Sequence, residues 1–298
     1  MSSTDASPSL RSIQLAGGGF AMLAIDQRES LRTMMATATG KVIHDDQLVE
    51  FKRATIEVLT PRASAVLIDK QYALRDGRPN VHPGCGLILA VDAFTQRPGG
   101  PVEDSGLDPS ITLDVIRDVG ADALKLLVLW TASQSRQGRD DLVGRFTALA
   151  AEAGLPCILE GVVRPRTGVE WAASAERDEA IQQAAEEFAE ARPDVYKAEV
   201  PGLGQLPAEE LKRRARDLTA ALSCPWVVLS SGVPASLFPD VVAAACAGGA
   251  SGFLAGRALW QDALGQNTDA YLSGEGVARL TRLSDIVQSA IRPPLTDQ

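Results

Sequence analysis

Lys197 lies in Asp194-Val195-Tyr196-Lys197-Ala198-Glu199-Val200-Pro201, a short apolar run with the character of a buried strand. An ammonium there must find partners or shed its proton, because burial disfavours the charged form. A neutral lysine amine is the nucleophile that forms Schiff bases with carbonyl substrates. Lys125, in Ala123-Leu124-Lys125-Leu126-Leu127-Val128-Leu129-Trp130, breaks the apolar rule in the same way. Two structural ion pairs are the plainer explanation, since buried lysines are almost always paired.

Other groups fall at the ends of apolar runs. The first ends in Asp26-Gln27-Arg28 and the second in Asp69-Lys70-Gln71; the fifth carries Glu160 and is followed by Arg164. Lys197 and Glu199, two residues apart on a strand, share a face, and Tyr196 points the other way. Asp26 is expected to pair with Lys125, and the Lys125 charge to lower the proton affinity of Lys197. Glu160 is placed to shuttle a proton; the alternative for Asp26 and Glu160 is a salt bridge to these lysines. Ser230-Ser231-Gly232 and Gly256-Arg257 end the last two runs. They supply backbone N–H groups, hydroxyls and a guanidinium, the components of a phosphate site. For Gly256 and Arg257 the alternative is a turn residue and a surface cation.

These residues need a scaffold that brings strand ends together. Eight apolar runs recur: 20–26 (FAMLAID), 64–69 (SAVLID), 86–91 (GLILAV), 123–130 (ALKLLVLW), 156–163 (PCILEGVV), 195–201 (VYKAEVP), 226–232 (WVVLSSG) and 251–257 (SGFLAGR). Their continuous hydrophobicity suits parallel strands buried on both faces. Helix-period segments at 45–59, 109–119, 138–153, 178–191, 207–222 and 237–247 lie between most of them, and 276–291 adds a last helix. Gly or Pro stops most of these segments. The connection 70–84 holds little helix, and 164–177 is expected to be an extended polar loop. The pattern predicts a single-domain (β/α)8 TIM barrel with frayed ends at about 1–9 and 293–298, and barrel chemistry sits at the strands' C-terminal ends. An open doubly wound sheet is disfavoured, because Gly17-Gly18-Gly19 precedes the first strand instead of following it. Those glycines permit a tight turn into that strand.

Composition narrows the chemistry further. Of 298 residues 45% are hydrophobic, ordinary for a globular chain, and the net charge of -9 with no basic tract argues against nucleic acid or anionic membranes. His44 and His82 are the only histidines, both in surface-like positions. That leaves too few ligands for a histidine-rich metal site and shifts acid–base work to carboxylates, lysines or tyrosines. No metal or other cofactor is therefore expected. Cys85, Cys157, Cys224 and Cys246 form no Cys-x-x-Cys pair and read as reduced thiols. No apolar run reaches the roughly 18 residues of a membrane span, and residues 1–10 do not read as a signal peptide, so a cytoplasmic protein is expected. A Schiff-base lysine, a carboxylate and a phosphate site together fit a class I aldolase acting on a ketose phosphate.

The chain resembles the tagatose-1,6-bisphosphate aldolase family of class I aldolases. Ala21–Arg28 resembles that family's opening strand, 194–201 its Schiff-base strand and 252–260 (GFLAGRALW) its phosphate-binding end. Segments 18–29 (GGFAMLAIDQRE), 63–69 (ASAVLID), 124–130 (LKLLVLW), 162–165 (VVRP) and 228–239 (VLSSGVPASLFP) are more similar still to the branch that acts on sulfofructose phosphate. The resemblance implies Lys197 as the Schiff-base lysine, Glu160 as proton shuttle and Asp26 and Lys125 as polar partners. It implies Ser230, Ser231, Gly232, Gly256 and Arg257 around a phosphate. The implied reaction is reversible cleavage of 6-deoxy-6-sulfofructose 1-phosphate to dihydroxyacetone phosphate and 3-sulfolactaldehyde. Where the bisphosphate aldolases carry Asp-Pro-Glu-Tyr-Gly, this chain has Asp69-Lys70-Gln71-Tyr72-Ala73, one negative charge fewer and one positive charge more. A sulfonate requires donors and no carboxylate, and Gln27, Arg28, Lys70, Gln71 and Arg164 are the candidates. The rivals are the same chemistry on tagatose or fructose bisphosphate, a sugar-phosphate sensor without catalysis, and an isomerase that uses no Schiff base. A homo-oligomer, dimer or tetramer, is the expected assembly.

Overall fold

The computed structural model describes residues 9–96, 102–165, 170–171, 175–230 and 232–291. Of the ends read as frayed, 1–8 and 293–298 lie outside the described residues, as does Ser231. In chain order the strands are β1 (Phe20–Ala24), β2 (Ala65–Ile68), β3 (Gly86–Ala90), β4 (Asp92–Gln96), β5 (Val102–Leu107), β6 (Ala123–Trp130), β7 (Cys157–Val163), β8 (Val195–Ala198), β9 (Trp226–Val228) and β10 (Gly252–Ala255). The helices are α1 (Glu29–Thr39), α2 (Asp45–Leu59), α3 (Leu113–Val119), α4 (Arg136–Ala153), α5 (Ala175–Ala189), α6 (Ala208–Ala221), α7 (Phe238–Ala247), α8 (Arg257–Trp260), α9 (Thr268–Tyr271) and α10 (Val277–Ile291).

Eight strands close a barrel in the order β1-β10-β9-β8-β7-β6-β3-β2, and every pair is parallel. Each coincides with one of the eight apolar runs. Alternate residues point inward, so Phe20, Met22, Ala24, Leu67, Ile88, Ala90, Ala123, Ile158, Val195, Val227 and Leu254 pack into an inner core. Ile13 joins that core from below. The opposite faces pack against the helices in a second, larger cluster. Gly18 makes the turn into β1 with φ of 96°, and its N–H donates to Leu15 O at 2.9 Å.

Two features go beyond the apolar runs. The chain forms α1 directly after β1, where the sequence pattern had marked no helix. It also inserts the antiparallel pair β4–β5 between β3 and α3, which starts at Leu113 behind the Thr112 N-cap and not at Pro109. The polar loop expected over 164–177 is shorter, because α5 already begins at Ala175. Among the described residues, no helix is long and apolar enough to cross a membrane.

Candidate active site

The inward parity that fills the barrel with apolar side chains continues into charged ones at the C-terminal ends. Asp26 lies two residues beyond Ala24, Asp92 beyond Ala90, Lys125 beyond Ala123, Glu160 beyond Ile158 and Lys197 beyond Val195. Glu160 and Lys197 are register partners on β7 and β8, so their side chains emerge side by side. Lys197 Nζ lies 2.9 Å from Glu160 Oε1, and Lys125 Nζ lies 2.7 Å from Glu160 Oε2. Lys125 also reaches Asp26 Oδ2 and Asp92 Oδ2, each at 3.0 Å. Asp92 Oδ1 accepts from Arg28 at 2.9 Å. The Arg28 guanidinium carbon and Lys125 Nζ sit 4.7 and 5.9 Å from the centre of the Phe94 ring.

All of these charged groups except Arg28 are buried, and the proton affinities of Lys125, Asp26 and Glu160 follow from that burial and from the neighbouring charges. Burial pushes the Lys125 ammonium down, but Asp26, Asp92 and Glu160 together hold it well above its ordinary value. Burial pushes the Asp26 and Glu160 carboxyls up, and the charges of Lys125 and Lys197 outweigh it, so both lie below the usual range. The cluster is a balanced set of three cations, Arg28, Lys125 and Lys197, with three carboxylates, Asp26, Asp92 and Glu160.

All of these but Asp92, which lies behind the wall, line a cavity of about 620 Å³ at the barrel mouth, together with Ser30, Thr33 and Met34 of α1, and Phe94 and Val102 of the β4–β5 pair. Arg164, Arg177, Glu199, Ser230, Gly256 and Arg257 complete its polar wall. Arg177, in the first turn of α5, donates to Glu199 Oε1 at 2.8 Å, and Glu199 Oε2 accepts from Val163 N at 2.7 Å. Arg164 and Arg257 make no ion pair among the described residues. Burial pushes both guanidiniums down, with Glu160 and Glu199 acting in the opposite direction. Gly256 is required where it stands, since a Cβ there would lie 2.3 Å from Ala24 O and 3.2 Å from Gln27 Nε2. Gln27 Oε1, Arg28 Nε and Arg164 Nε are buried without hydrogen-bond partners among the described residues. They offer one acceptor and two donors to a ligand.

The structure thus gathers Asp26, Lys125, Glu160, Lys197, Gln27, Arg28, Arg164, Ser230, Gly256 and Arg257 around one cavity. Gly232 lies beside it, 4.0 Å from Arg257 Nη1 measured from an ideal Cβ. Gln27 sits against Gly256, at the Arg257 end. Lys70 and Gln71 are not part of the site. Asp69 is drawn onto Lys52 of α2, and the chain turns outward after it. Lys70 Nζ then donates to Ser110 O at 2.7 Å, and exposed Gln71 donates to Tyr72 Oη at 2.9 Å. Tyr196 points away from the cavity, its ring centre 6.4 Å from that of Phe188. Asp92 belongs to the cluster although it is not among the sequence-based candidates; it follows Val91 as Asp26 follows Ile25. Lys52 is not among those candidates either; its signal is a lysine on the apolar stripe Leu48, Lys52, Ile56, Leu59. Among the described residues no group of three or more His, Cys, Asp or Glu side chains is arranged to hold a metal ion.

The profile of the DeoC/LacD family aldolases matches residues 20–262. The tagatose 1,6-diphosphate aldolase 2 of Streptococcus pyogenes serotype M3 is 28% identical, with 93% of each chain covered. The tagatose 1,6-diphosphate aldolase of Staphylococcus epidermidis is 29% identical over 83% of this chain and 82% of its own. Among solved structures, an archaeal fructose 1,6-bisphosphate aldolase superposes with a TM-score of 0.64 at 15% identity, covering 94% of this chain and 98% of that one. The fructose-bisphosphate aldolase of Slackia heliotrinireducens superposes with a TM-score of 0.62 at 18% identity, covering 97% and 90%. At those identities the structural likeness speaks for the barrel alone.

Proposed function

The chain belongs to the DeoC/LacD family of aldolases and is a class I aldehyde-lyase, and on that premise we propose that it cleaves 6-deoxy-6-sulfofructose 1-phosphate through a Schiff base on Lys197. The products are dihydroxyacetone phosphate and 3-sulfolactaldehyde, and the reaction is reversible. One observation carries this reading. The Lys197–Glu160 contact shares its cavity with two arginines, Arg164 and Arg257, that have no carboxylate bound to them among the described residues. A ketose with an anionic group at each end suits that arrangement.

Lys197 is the nucleophile and Glu160 moves the protons. Lys197 passes one proton to Glu160, the free amine adds to the ketose carbonyl carbon C2, and a second amine proton moves to the carbonyl oxygen, which becomes a hydroxyl. Glu160 protonates that hydroxyl, water leaves, and a cationic iminium joins Lys197 to C2. Glu160, again a carboxylate, takes the proton of the C4 hydroxyl. The O–H electron pair forms the aldehyde C=O, the C3–C4 bond breaks, and its pair moves into the iminium to give a neutral enamine. Protonation at C3 and hydrolysis return the amine and release dihydroxyacetone phosphate.

The geometry suits Glu160 to both directions of transfer. Its oxygens face two cations, of which Lys125 is held charged by Asp26 and Asp92 throughout. Lys197 alternates between charged and neutral during the cycle. Each loss of its charge raises the proton affinity of Glu160, and each return lowers it. Asp26 and Lys125 anchor the carboxylate side of this exchange.

For the two anionic ends, Arg257, Gly256, Gly232, Ser230 and Ser231 are assigned to the C1 phosphate, and Gln27 lies beside them. Arg28 and Arg164 are assigned to the C6 group. A sulfonate accepts hydrogen bonds and donates none, as the buried donors Arg28 Nε and Arg164 Nε require. The names of the Streptococcus and Staphylococcus relatives favour a second reading, cleavage of tagatose 1,6-bisphosphate by the same steps. Cleavage of sulfofructose 1-phosphate, tagatose 1,6-bisphosphate and fructose 1,6-bisphosphate is to be compared in EDTA, following dihydroxyacetone phosphate. Preference for the sulfosugar supports the first reading, and equal or better bisphosphate turnover overturns it in favour of the second. A cytoplasmic homo-oligomer remains the expected setting, to be checked by light scattering.

A further inference from the structure

Lys52 occupies a position on α2 that the helix pattern reserves for an apolar residue. Leu48, Val49, Phe51, Thr55, Ile56 and Leu59 are buried around it, and Lys52 itself is 0% exposed. Burying an ammonium is costly unless every proton finds an acceptor. Lys52 finds two: the backbone carbonyl of Ile25, at 2.5 Å, and the carboxylate of Asp69. Both acceptors lie just past the ends of neighbouring barrel strands. Ile25 follows β1 and donates its own N–H to Leu67 O of β2 at 2.9 Å, the last rung between the two strands. Asp69 follows β2, and its second oxygen accepts from Tyr72 N at 2.7 Å.

The preceding carbonyl is held in a similar way. Trp260 Nε1, from α8, donates to Ala24 O at 3.0 Å. Trp260 and Phe51 of α2 meet edge to face, with ring centres 5.7 Å apart. The last two carbonyls of the chain before Asp26 are therefore both fixed by side chains from the outer helices. A strand end without these donors would leave two buried carbonyls unpaired and the peptide before Asp26 free to rotate. Asp26 is the residue that this peptide aims, and its carboxylate holds Lys125, which in turn holds Glu160 against Lys197.

We propose that Lys52, together with Trp260, is a positioning residue for the aldolase reaction: the two side chains clamp the Ala24 and Ile25 carbonyls so that Asp26 is aimed at Lys125 and Glu160 is held for proton transfer. The inference rests on the Schiff-base reading above. Lys52 touches no substrate and forms no part of the cavity wall. The cost of its burial is offset at the site, where small displacements of a proton-transferring group reduce turnover steeply.

The test is the variant Lys52→Met with Asp69→Asn, which removes both charges of the buried pair together. Trp260→Phe is made beside it and removes the indole N–H together with part of the ring's bulk. Dihydroxyacetone phosphate with borohydride first marks Lys197 in the wild-type protein, read as a mass increase on its peptide. The clamp predicts that both variants are marked as fully as wild type and keep KM within about threefold. It also predicts that kcat falls by about tenfold or more in the double variant and by a smaller factor in Trp260→Phe. A lower unfolding midpoint with wild-type kcat in the folded protein would show a merely structural role and overturn the inference while sparing the Schiff-base reading. If the double variant does not fold, Trp260→Phe decides, and unchanged kcat there overturns the clamp. A wild-type protein that borohydride does not mark at Lys197 overturns the Schiff-base reading and this inference with it.

Discussion

Glu160 Oε1 lies 2.9 Å from Lys197 Nζ, between residues that are direct register partners on neighbouring strands. That contact is short enough for proton transfer without rearrangement, and it places acid–base chemistry beside the nucleophile before any substrate arrives. Replacing Glu160 by Gln keeps the shape and removes the proton acceptor. Glu160→Gln is expected to lower kcat by about 10²–10⁴-fold, with borohydride trapping slowed but still directed to Lys197. Steady-state kinetics and peptide mass mapping check this, and wild-type kcat in the variant would remove Glu160 from the mechanism.

Lys197→Met is expected to abolish both turnover and trapping. A lysine elsewhere in the cavity that became marked in the variant would point to Lys125 as the nucleophile instead.

Arg257 has no ion-pair partner among the described residues, so its removal costs substrate binding more than it costs folding. Arg257→Ala is expected to raise KM for the ketose phosphate by about tenfold to a hundredfold, with the urea midpoint close to wild type. A collapse in stability with unchanged KM would make Arg257 a structural residue.

Asp92 faces the opposite situation. Its two oxygens hold Lys125 and Arg28 in a site where its own side chain is fully buried. Asp92→Ala leaves two cations short of a partner and is expected to destabilise the fold by about 3–5 kcal/mol, measured by urea unfolding. Loss of activity without loss of stability would show that Arg28 and Lys125 find other partners.

The charged cluster also fixes a pH profile. Asp26 and Glu160 hold their protons more weakly in the fold than in the unfolded chain, so their contribution to stability is complete above an unfolded carboxyl value of about 4. It is lost as pH falls through the lower folded values. Lys125 holds its proton more tightly in the fold, so its contribution is complete below about pH 10.4 and is lost as pH rises through the higher folded value. Denaturant midpoints are expected to be level on this account between those limits and to fall outside them. A steep decline between pH 6 and 8 would contradict the assigned charge states.

The barrel was legible because each strand is buried on both faces and so writes a continuous apolar run, such as ALKLLVLW. The lysines and Glu160 inside those runs were conspicuous for the same reason, and Asp26 followed from where its run ends. Asp92 carries the same signal as Asp26, one residue past the end of its apolar run. The β4–β5 pair contains Asp, Thr, Gln and Ser in place of an apolar alternation, so periodicity could not announce it. Lys70 and Gln71 were misplaced for a reason no single run contains. The turn that carries them outward is set by Asp69 meeting Lys52, a contact between segments 17 residues apart. Lys52 in turn looks like an ordinary surface lysine until its place on the α2 stripe is counted.

The β4–β5 pair leaves the barrel and returns to it at one point. Asp92 is the register partner of Leu107, and Asp108 N closes the loop on Val91 O at 2.8 Å. Everything between those residues is thus a cassette with adjoining ends, whose length and composition can drift without altering strand order or shear. Phe94 and Val102 of that cassette form part of the cavity wall, whereas Lys197 and Glu160 belong to the barrel itself. Divergence among related enzymes can therefore change what the mouth admits while inheriting the reaction intact.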